Sequence, residues 1–170
     1  LDQYKGKDVL HEGFMMPIDP IYSWERISAT ARKKIRKAKS NRDITIKRVD
    51  GSKKDILDFR TIWFDPNDDT IPEILDPEEI MYMAYLKDEL IGGLILTPTG
   101  TNLYTHNLGS SLIGKKLNIT YLLLWHALED LKDSQYKFID VGVSYRPNLY
   151  AFFKNWKVIT YPVIFKPPFI

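Results

Sequence analysis

The strongest helix pattern of the chain is followed at once by a buried strand, and this pair constrains the fold most. The helix lies in "NITYLLLWHALEDLKDS" (residues 118–134) and the strand in "YKFIDVGV" (residues 136–143). Around them the periodicity alternates between strand and helix in the order β-α-β-β-β-α-β-α-β. Such an order predicts a mixed sheet with helices on its faces. We therefore expect an α/β (α+β) fold with about six to seven strands.

Length and composition limit the class of protein. At 170 residues we expect one domain with a sizeable core, and 44% hydrophobic and 13% aromatic residues indicate a folded globule. The absence of cysteine excludes disulfides, thiolate metal sites and a cysteine nucleophile. It also fits a reducing compartment, so we expect a cytoplasmic protein. No apolar run approaches the roughly 20 residues that span a bilayer, and the sequence begins with no signal-peptide pattern.

Several catalytic classes lack their motif. The three histidines lie far apart and show no metal-ligand spacing, so we do not expect metal catalysis. Neither the Gly-x-Ser-x-Gly turn of serine hydrolases nor the Gly-Lys-Ser/Thr phosphate loop occurs. The segment "LGSSLIGKK" is a weak anion-site candidate, because helix N-termini attract anions and two lysines stand beside this one.

A basic amphipathic helix is predicted in "SWERISATARKKIRKAKSNRD" (residues 23–43), with Ser23 as its N-cap and one apolar stripe. We interpret residues 1–22 as an N-terminal extension and residues 23–170 as the domain. Clustered cations favour RNA or another phosphate-rich ligand, whereas a merely solvated face is the alternative. The cations of this face are Arg32, Lys33, Lys34, Arg36, Lys37 and Lys39.

The ordered combination of these motifs resembles the GCN5-related N-acetyltransferase (GNAT) superfamily, and within it the Fem-type aminoacyltransferases. The quoted elements are "RKKIRKAKSN", "LLLWHAL", the strand ending in "DVG", and "FKNW" in the next helix. The likeness covers residues 24–165. It implies a single GNAT-like domain in which two central parallel strands splay apart and the acyl arm of the donor lies in the gap.

The resemblance also implies roles for residues. "THNLGSS" and "FIDVGV" would be the splayed strands. Asp140 would orient or deprotonate the acceptor amine, Tyr145 would protonate the leaving group, and Asn148 would fix the carbonyl. A structural cap is the alternative for Asp140, and loop packing is the alternative for the other two. The implied donor-binding residues are Asn107, Leu108, Gly109, Ser110, Lys115, Lys116 and Asn118. The implied acceptor-binding residues are His106, Gly142, Arg146 and Lys154.

Two departures from the family pattern bear on the donor. The pyrophosphate loop Gln/Arg-x-x-Gly-x-Gly/Ala is replaced by "LIGKKLNIT", and Phe153 stands near the position of the tyrosine that often protonates the leaving thiolate. Acetyl-CoA or another acyl-CoA therefore remains one expected donor, with aminoacyl-tRNA as the other. The expected acceptor is a small-molecule, glycan or peptide amine, in cell-envelope or polysaccharide biosynthesis. The alternative function is a non-catalytic module that binds an anionic polymer or a protein through residues 32–39.

Overall fold

The computed structural model describes residues 9–62, 71–142 and 147–165. The strands are β1 Val9–Pro17, β2 Ile44–Val49, β3 Ile80–Leu86, β4 Glu89–Thr99, β5 Asn102–Ser110, β6 Phe138–Gly142 and β7 Ile159–Phe165. The helices are α1 Pro20–Arg26, α2 Ala29–Lys39, α3 Lys53–Ile62, α4 Leu112–Lys116, α5 Ile119–Asp130 and α6 Pro147–Lys154. The seven strands form one sheet in the order β2-β3-β4-β5-β6-β1-β7. Among these seven described strands, β5 and β6 are the one parallel pair, so the sheet is mixed, as predicted.

Helices cover both faces of the sheet, which confirms the predicted architecture. On one face α5 and α2 pack on a large apolar cluster that includes Leu94, Leu123 and Ile139. On the other face α3 buries Ile56 and Phe59 against neighbouring strands. Helix α5 is buried nearly all round, which is why its sequence is apolar without a marked stripe. None of the helices in the described ranges is both long and apolar enough to cross a bilayer.

The sheet begins earlier in the chain than the sequence predicts. Residues 9–17, interpreted above as part of an N-terminal extension, form β1, which pairs antiparallel with both β6 and β7. Phe14 and Met16 point into the core, but Met15 on the opposite side is also half-buried. The apolar–polar alternation that marks a strand is therefore weak in this segment.

The predicted single basic helix is instead two helices, and Ser23 is not an N-cap. Helix α1 starts at Pro20 with Asp19 as its cap, and the buried Ser23 hydroxyl donates to the Pro17 carbonyl at 2.8 Å. The chain is extended at Ile27, and α2 starts after Ser28, whose hydroxyl caps it by accepting from the Ala31 N–H. Because the apolar residues keep helical spacing across this junction, the sequence pattern does not show the break between the two helices.

Arg32 joins the two helices. Its Nη1 donates to the carbonyls of Trp24, Glu25 and Ile27 at 3.1, 3.2 and 2.7 Å. These carbonyls lie at the C-terminus of α1, where helix geometry leaves them without partners of their own. A charged donor therefore completes the end of the helix.

We expect Arg32→Ala to lower the free energy of unfolding by about 2 kcal/mol, because it removes a charged donor from partly buried carbonyls. The neighbouring exposed Lys33 is the matched control, and Lys33→Ala should change stability by less than about 0.5 kcal/mol. Urea unfolding followed by circular dichroism measures both. Equal effects of the two substitutions would contradict the structural role of Arg32.

Candidate functional site

The two parallel strands at the centre of the sheet separate after a short paired stretch. Strands β5 and β6 pair only from Asn102 to Tyr104, and the last pair is Tyr104 with Asp140. Beyond it β5 runs on to Ser110 while paired with β4 alone. Among the described residues, nothing pairs with the six residues of β5 from 105 to 110 on the side of β6, and this gap corresponds to the splay that the family resemblance implies.

Each of the two separating strands carries a β-bulge at the point of divergence. On β5 the register against β4 skips His106, since Thr105 pairs with Leu96 and Asn107 with Ile95. On β6 the register against β1 skips Val141. A bulge bends its strand and increases the local twist. Two bulges on facing strands therefore direct the strands apart.

Asp140 holds the end of β6 in this diverging geometry. Its Oδ1 accepts from the Gly142 N–H at 2.8 Å, and Gly142 has a φ of +85°, a conformation that favours glycine. The Tyr161 hydroxyl donates to the same carboxylate at 2.7 and 2.8 Å. Asp140 therefore forms the contacts of a structural cap at the end of β6. Its predicted catalytic role stays a prediction.

Tyr161 reaches Asp140 by passing over a glycine. Strand β1 lies between β6 and β7, and Gly13 of β1 pairs with Tyr161. A Cβ at Gly13 would lie 2.2 Å from the Cζ atom of the Tyr161 ring. Burial, followed by the hydrogen bond to Asp140, raises the pKa of Tyr161 above its ordinary value of 10.0. The sequence does not reveal this tyrosine, because only the strand order brings it to Asp140.

Two buried hydroxyls lie on the diverging part of β5. Thr105 Oγ1 and Ser110 Oγ are buried and have no hydrogen-bond partner among the residues that the structure describes. Their strand partners Leu96 and Gly92 place both on the α5 face of the sheet. Buried polar atoms are normally satisfied in proteins, so these two positions are suited to a polar ligand.

A second polar group lies on the opposite face of the sheet. The Thr97 hydroxyl donates to Glu79 Oε1 at 2.5 Å, and His106 Nδ1 lies 3.3 Å from Thr97 Oγ1 and 3.7 Å from Glu79 Oε1. Thr97 and Glu79 also line a groove of about 500 Å³ together with Ile74, Leu75 and neighbouring residues. The sequence separates these residues widely, and only the β4–β5 register and its bulge bring them together.

The segment predicted to hold donor phosphates contains the short helix α4. Its glycine, Gly114, is buried, and a Cβ there would lie 2.1 Å from the Ile91 carbonyl oxygen. Lys115 and Lys116 are exposed in the last turn of α4. Asn118 has a left-handed φ of 59° and makes no side-chain cap to α5. The glycine serves close packing of α4 on β4, and the predicted roles of the lysines and Asn118 stay predictions.

The remaining predicted positions divide into described and undescribed residues. On β5 Asn107 is buried, Leu108 packs against the core, and Gly109 pairs with Gly93. Tyr145 and Arg146 lie outside the described residues, as does the side chain of Asn148 in α6. Lys154 is exposed in the last turn of α6. The structure thus brings together Asp140 and Gly142, and it adds Tyr161 to them.

Most cations of the basic helix face are occupied within the chain. Arg32 binds the end of α1, Lys34 lies 4.5 Å from the centroid of the Tyr121 ring, and Arg36 lies 5.2 Å from that of Trp24. Lys39 forms a 2.7 Å ion pair with Glu129. The predicted polyanion surface is therefore smaller than the sequence indicates, and RNA binding there stays a prediction.

Several solved structures of other proteins have a fold similar to that of this chain. FemX matches with a TM-score of 0.67 and 13% identity over 89% of this chain and 59% of its own. The C-terminal domain of a putative lysylphosphatidylglycerol synthetase from Agrobacterium fabrum matches with a TM-score of 0.62 and 13% identity, over 92% and 60%. A GCN5-related N-acetyltransferase from Kribbella flavida matches with a TM-score of 0.54 and 6% identity, over 93% and 56%. The sequence itself matches no protein-family model and no curated protein.

These similarities show a GNAT-like, Fem-type fold, which confirms the predicted resemblance. At 6 to 13% identity these matches show the fold alone. The chain spans about three fifths of the length of the structures that it matches.

We expect stability to fall at alkaline pH partly through Tyr161. Its pKa is raised by folding, so its stabilising contribution is complete below the unfolded value of 10.0 and is lost as the pH rises through the folded value. Tyr161→Phe should therefore show a smaller loss of unfolding free energy above pH 10 than the wild type. Urea unfolding at a series of pH values measures the difference.

Gly13→Ala is an independent route to the same contact, because the added methyl displaces the Tyr161 ring. In this variant the Tyr161 pKa, followed by NMR of labelled tyrosine, should move toward its ordinary value. An unchanged Tyr161 pKa would contradict the arrangement of Gly13, Tyr161 and Asp140.

Proposed function

We propose that this GNAT-like, Fem-type domain is an N-acyltransferase that binds the acyl or aminoacyl arm of its donor between β5 and β6. The observation that carries the proposal is the divergence of these strands after the Tyr104–Asp140 pair. Within the part of the chain that the structure describes, it leaves one edge of β5 from residue 105 to residue 110 open for hydrogen bonds to an extended, amide-containing arm. The buried hydroxyls of Thr105 and Ser110 add polar groups on the α5 side.

The reaction class needs few protein groups. An amine must be held in line with an activated carbonyl, and donors must stabilise the developing oxyanion. Backbone N–H groups at the open edge of β5 are suitable donors. No nucleophilic side chain on the enzyme is required, which fits a chain without cysteine and without a serine-hydrolase motif.

Asp140 lies at the branch point of the two strands, where an acceptor would meet the donor carbonyl. We assign it to orienting the amine, with its carboxylate positioned by Gly142 and Tyr161. Tyr145 as proton donor to the leaving group and Asn148 as ligand of the carbonyl remain part of the proposal. Arg146 and Lys154 are assigned to anionic groups of the acceptor.

The donor is either an acyl-CoA thioester or an aminoacyl-tRNA. The single buried glycine of α4 is used for packing, which supports a donor that does not need a glycine-rich pyrophosphate loop. Lys115 and Lys116 are exposed beside the gap and suit the phosphates of either donor. We place the reaction in the cytoplasm and in cell-envelope or polysaccharide biosynthesis, with a glycan, peptide or small-molecule amine as acceptor.

Donor binding is the first test. Calorimetric titration of the protein with acetyl-CoA, free CoA and an aminoacyl-tRNA should show micromolar binding of one donor class. Ser110→Val should weaken that binding, because it removes a buried hydroxyl from the α5 side of the gap. Ser40→Ala, an exposed substitution at the C-terminus of α2, should not weaken it. Absence of binding by all three ligands would contradict the proposal.

Transfer is the second test. With the donor that binds, Asp140→Asn should lower the rate of amide formation by about 100-fold or more, because the carboxylate charge is lost at the acceptor. The amide oxygen still accepts from the Gly142 N–H, so the thermal unfolding midpoint should change little. A fully active Asp140→Asn variant would return Asp140 to a purely structural role.

A further inference from the structure

His106 lies on the diverging part of β5 and has one of its two ring nitrogens occupied. Nδ1 contacts Thr97 and Glu79, whereas Nε2 makes no hydrogen bond with any described residue. The His106 side chain keeps 38% of its surface exposed, and the Glu79 side chain keeps only 8%. The imidazole is therefore partly exposed to solvent, while the carboxylate behind it is buried.

The hydrogen bonds determine which nitrogen carries the proton. A hydroxyl has one hydrogen to donate, and Thr97 gives its hydrogen to Glu79 at 2.5 Å. The Thr97 oxygen must then accept from His106, which requires the proton on Nδ1. Nε2 is consequently the ring nitrogen with a free lone pair. The β-bulge at His106 supports this orientation, because bulges redirect side chains within a sheet.

Glu79 is itself held in place. Its Oε2 accepts from the Asp76 N–H at 3.0 Å, while Oε1 accepts from Thr97. Both carboxylate oxygens are thus held, and the carboxylate lies 3.7 Å from Nδ1 on the side of the ring that faces Thr97. The arrangement has the parts of a general base with its positioning groups: a nitrogen with a lone pair, a hydroxyl that fixes its tautomer, and a buried carboxylate.

We propose that His106 is the general base for the acceptor amine, with Thr97 and Glu79 as positioning residues. The inference rests on the proposed N-acyltransferase function. Nε2 takes one proton from the ammonium form of the acceptor, and the free amine attacks the donor carbonyl. The C–N bond forms, the C–S or C–O bond to the leaving group breaks, and the nitrogen loses a second proton while the leaving atom gains one. His106 then releases its proton to water.

The tautomer is tested without any activity. Long-range ¹H–¹⁵N NMR of the imidazole rings should show the proton of neutral His106 on Nδ1. Thr97→Val should remove this preference and Thr97→Ser should restore it, whereas Thr99→Val, on the same strand, should leave it unchanged. A proton on Nε2 in the wild type would overturn the inference.

The catalytic role is tested by transfer kinetics with the donor that binds. His106→Asn keeps an N–H for Thr97 but cannot take a proton, so kcat should fall by about 100-fold or more. Thr97→Val should reduce kcat by about tenfold, the equivalent of one lost hydrogen bond, with Thr99→Val as the unaffected control. Wild-type transfer that His106→Asn does not slow would overturn the base assignment and leave the proposed function intact. If the wild type transfers no acyl group from any donor, the proposed function fails and the base assignment fails with it.

Discussion

The hydrogen bond from the Gly142 N–H to the Asp140 carboxylate is the constraint on which the central geometry depends. Through it, a backbone donor at the end of β6 is satisfied by a side chain two residues away. It operates together with the positive φ of Gly142, which allows the chain to turn away there. Because this N–H is satisfied by a side chain, β6 can turn away from β5 at Gly142 without leaving the N–H unpaired.

The other contacts of the site reinforce this separation. The Tyr161 hydroxyl holds the same carboxylate from β7, and it does so across β1 only because Gly13 has no side chain. On β5 the bulge at His106 bends the strand away and turns the imidazole toward Thr97 and Glu79. The same irregularities that open the gap thus place polar groups on both faces of the sheet around it.

Much of the fold could be predicted from the sequence, because the elements that build it have strong local signals. Helix α5 and strands β3 to β5 follow from apolar periodicity. Helix α3 begins at a capping box, in which the Ser52 hydroxyl accepts from the Asp55 N–H and the Asp55 carboxylate accepts from the Ser52 N–H. Strand β1 escaped prediction because its two faces are both partly covered, which removes alternation. The break between α1 and α2 was not predicted, because the apolar stripe continues through it. The break is formed by the N-caps Asp19 and Ser28 and by the hydrogen bonds of Arg32 to the end of α1.

Some residues of the candidate site could likewise be recognised from the sequence, and others could not. Asp140 and Gly142 are adjacent in sequence at a strand end, so their motif could be recognised. Tyr161 reaches them through the β6-β1-β7 order, which no local pattern encodes. Glu79 and Thr97 meet His106 through a register shifted by one residue, and such a shift is set by tertiary packing. The basic helix face shows a further limit of local patterns, because the contacts of its cations with Tyr121, Trp24 and Glu129 are formed only in the fold.

The claim that the gap between β5 and β6 holds the donor is tested most directly by amide hydrogen exchange with and without the donor that binds. We expect slower exchange in β5 from residue 105 to residue 110, because the open edge of the strand gains hydrogen bonds to the donor. Exchange in α2 should be unchanged. Protection confined to α2, with β5 unaffected, would contradict donor binding in the gap and assign ligand binding to the basic helix.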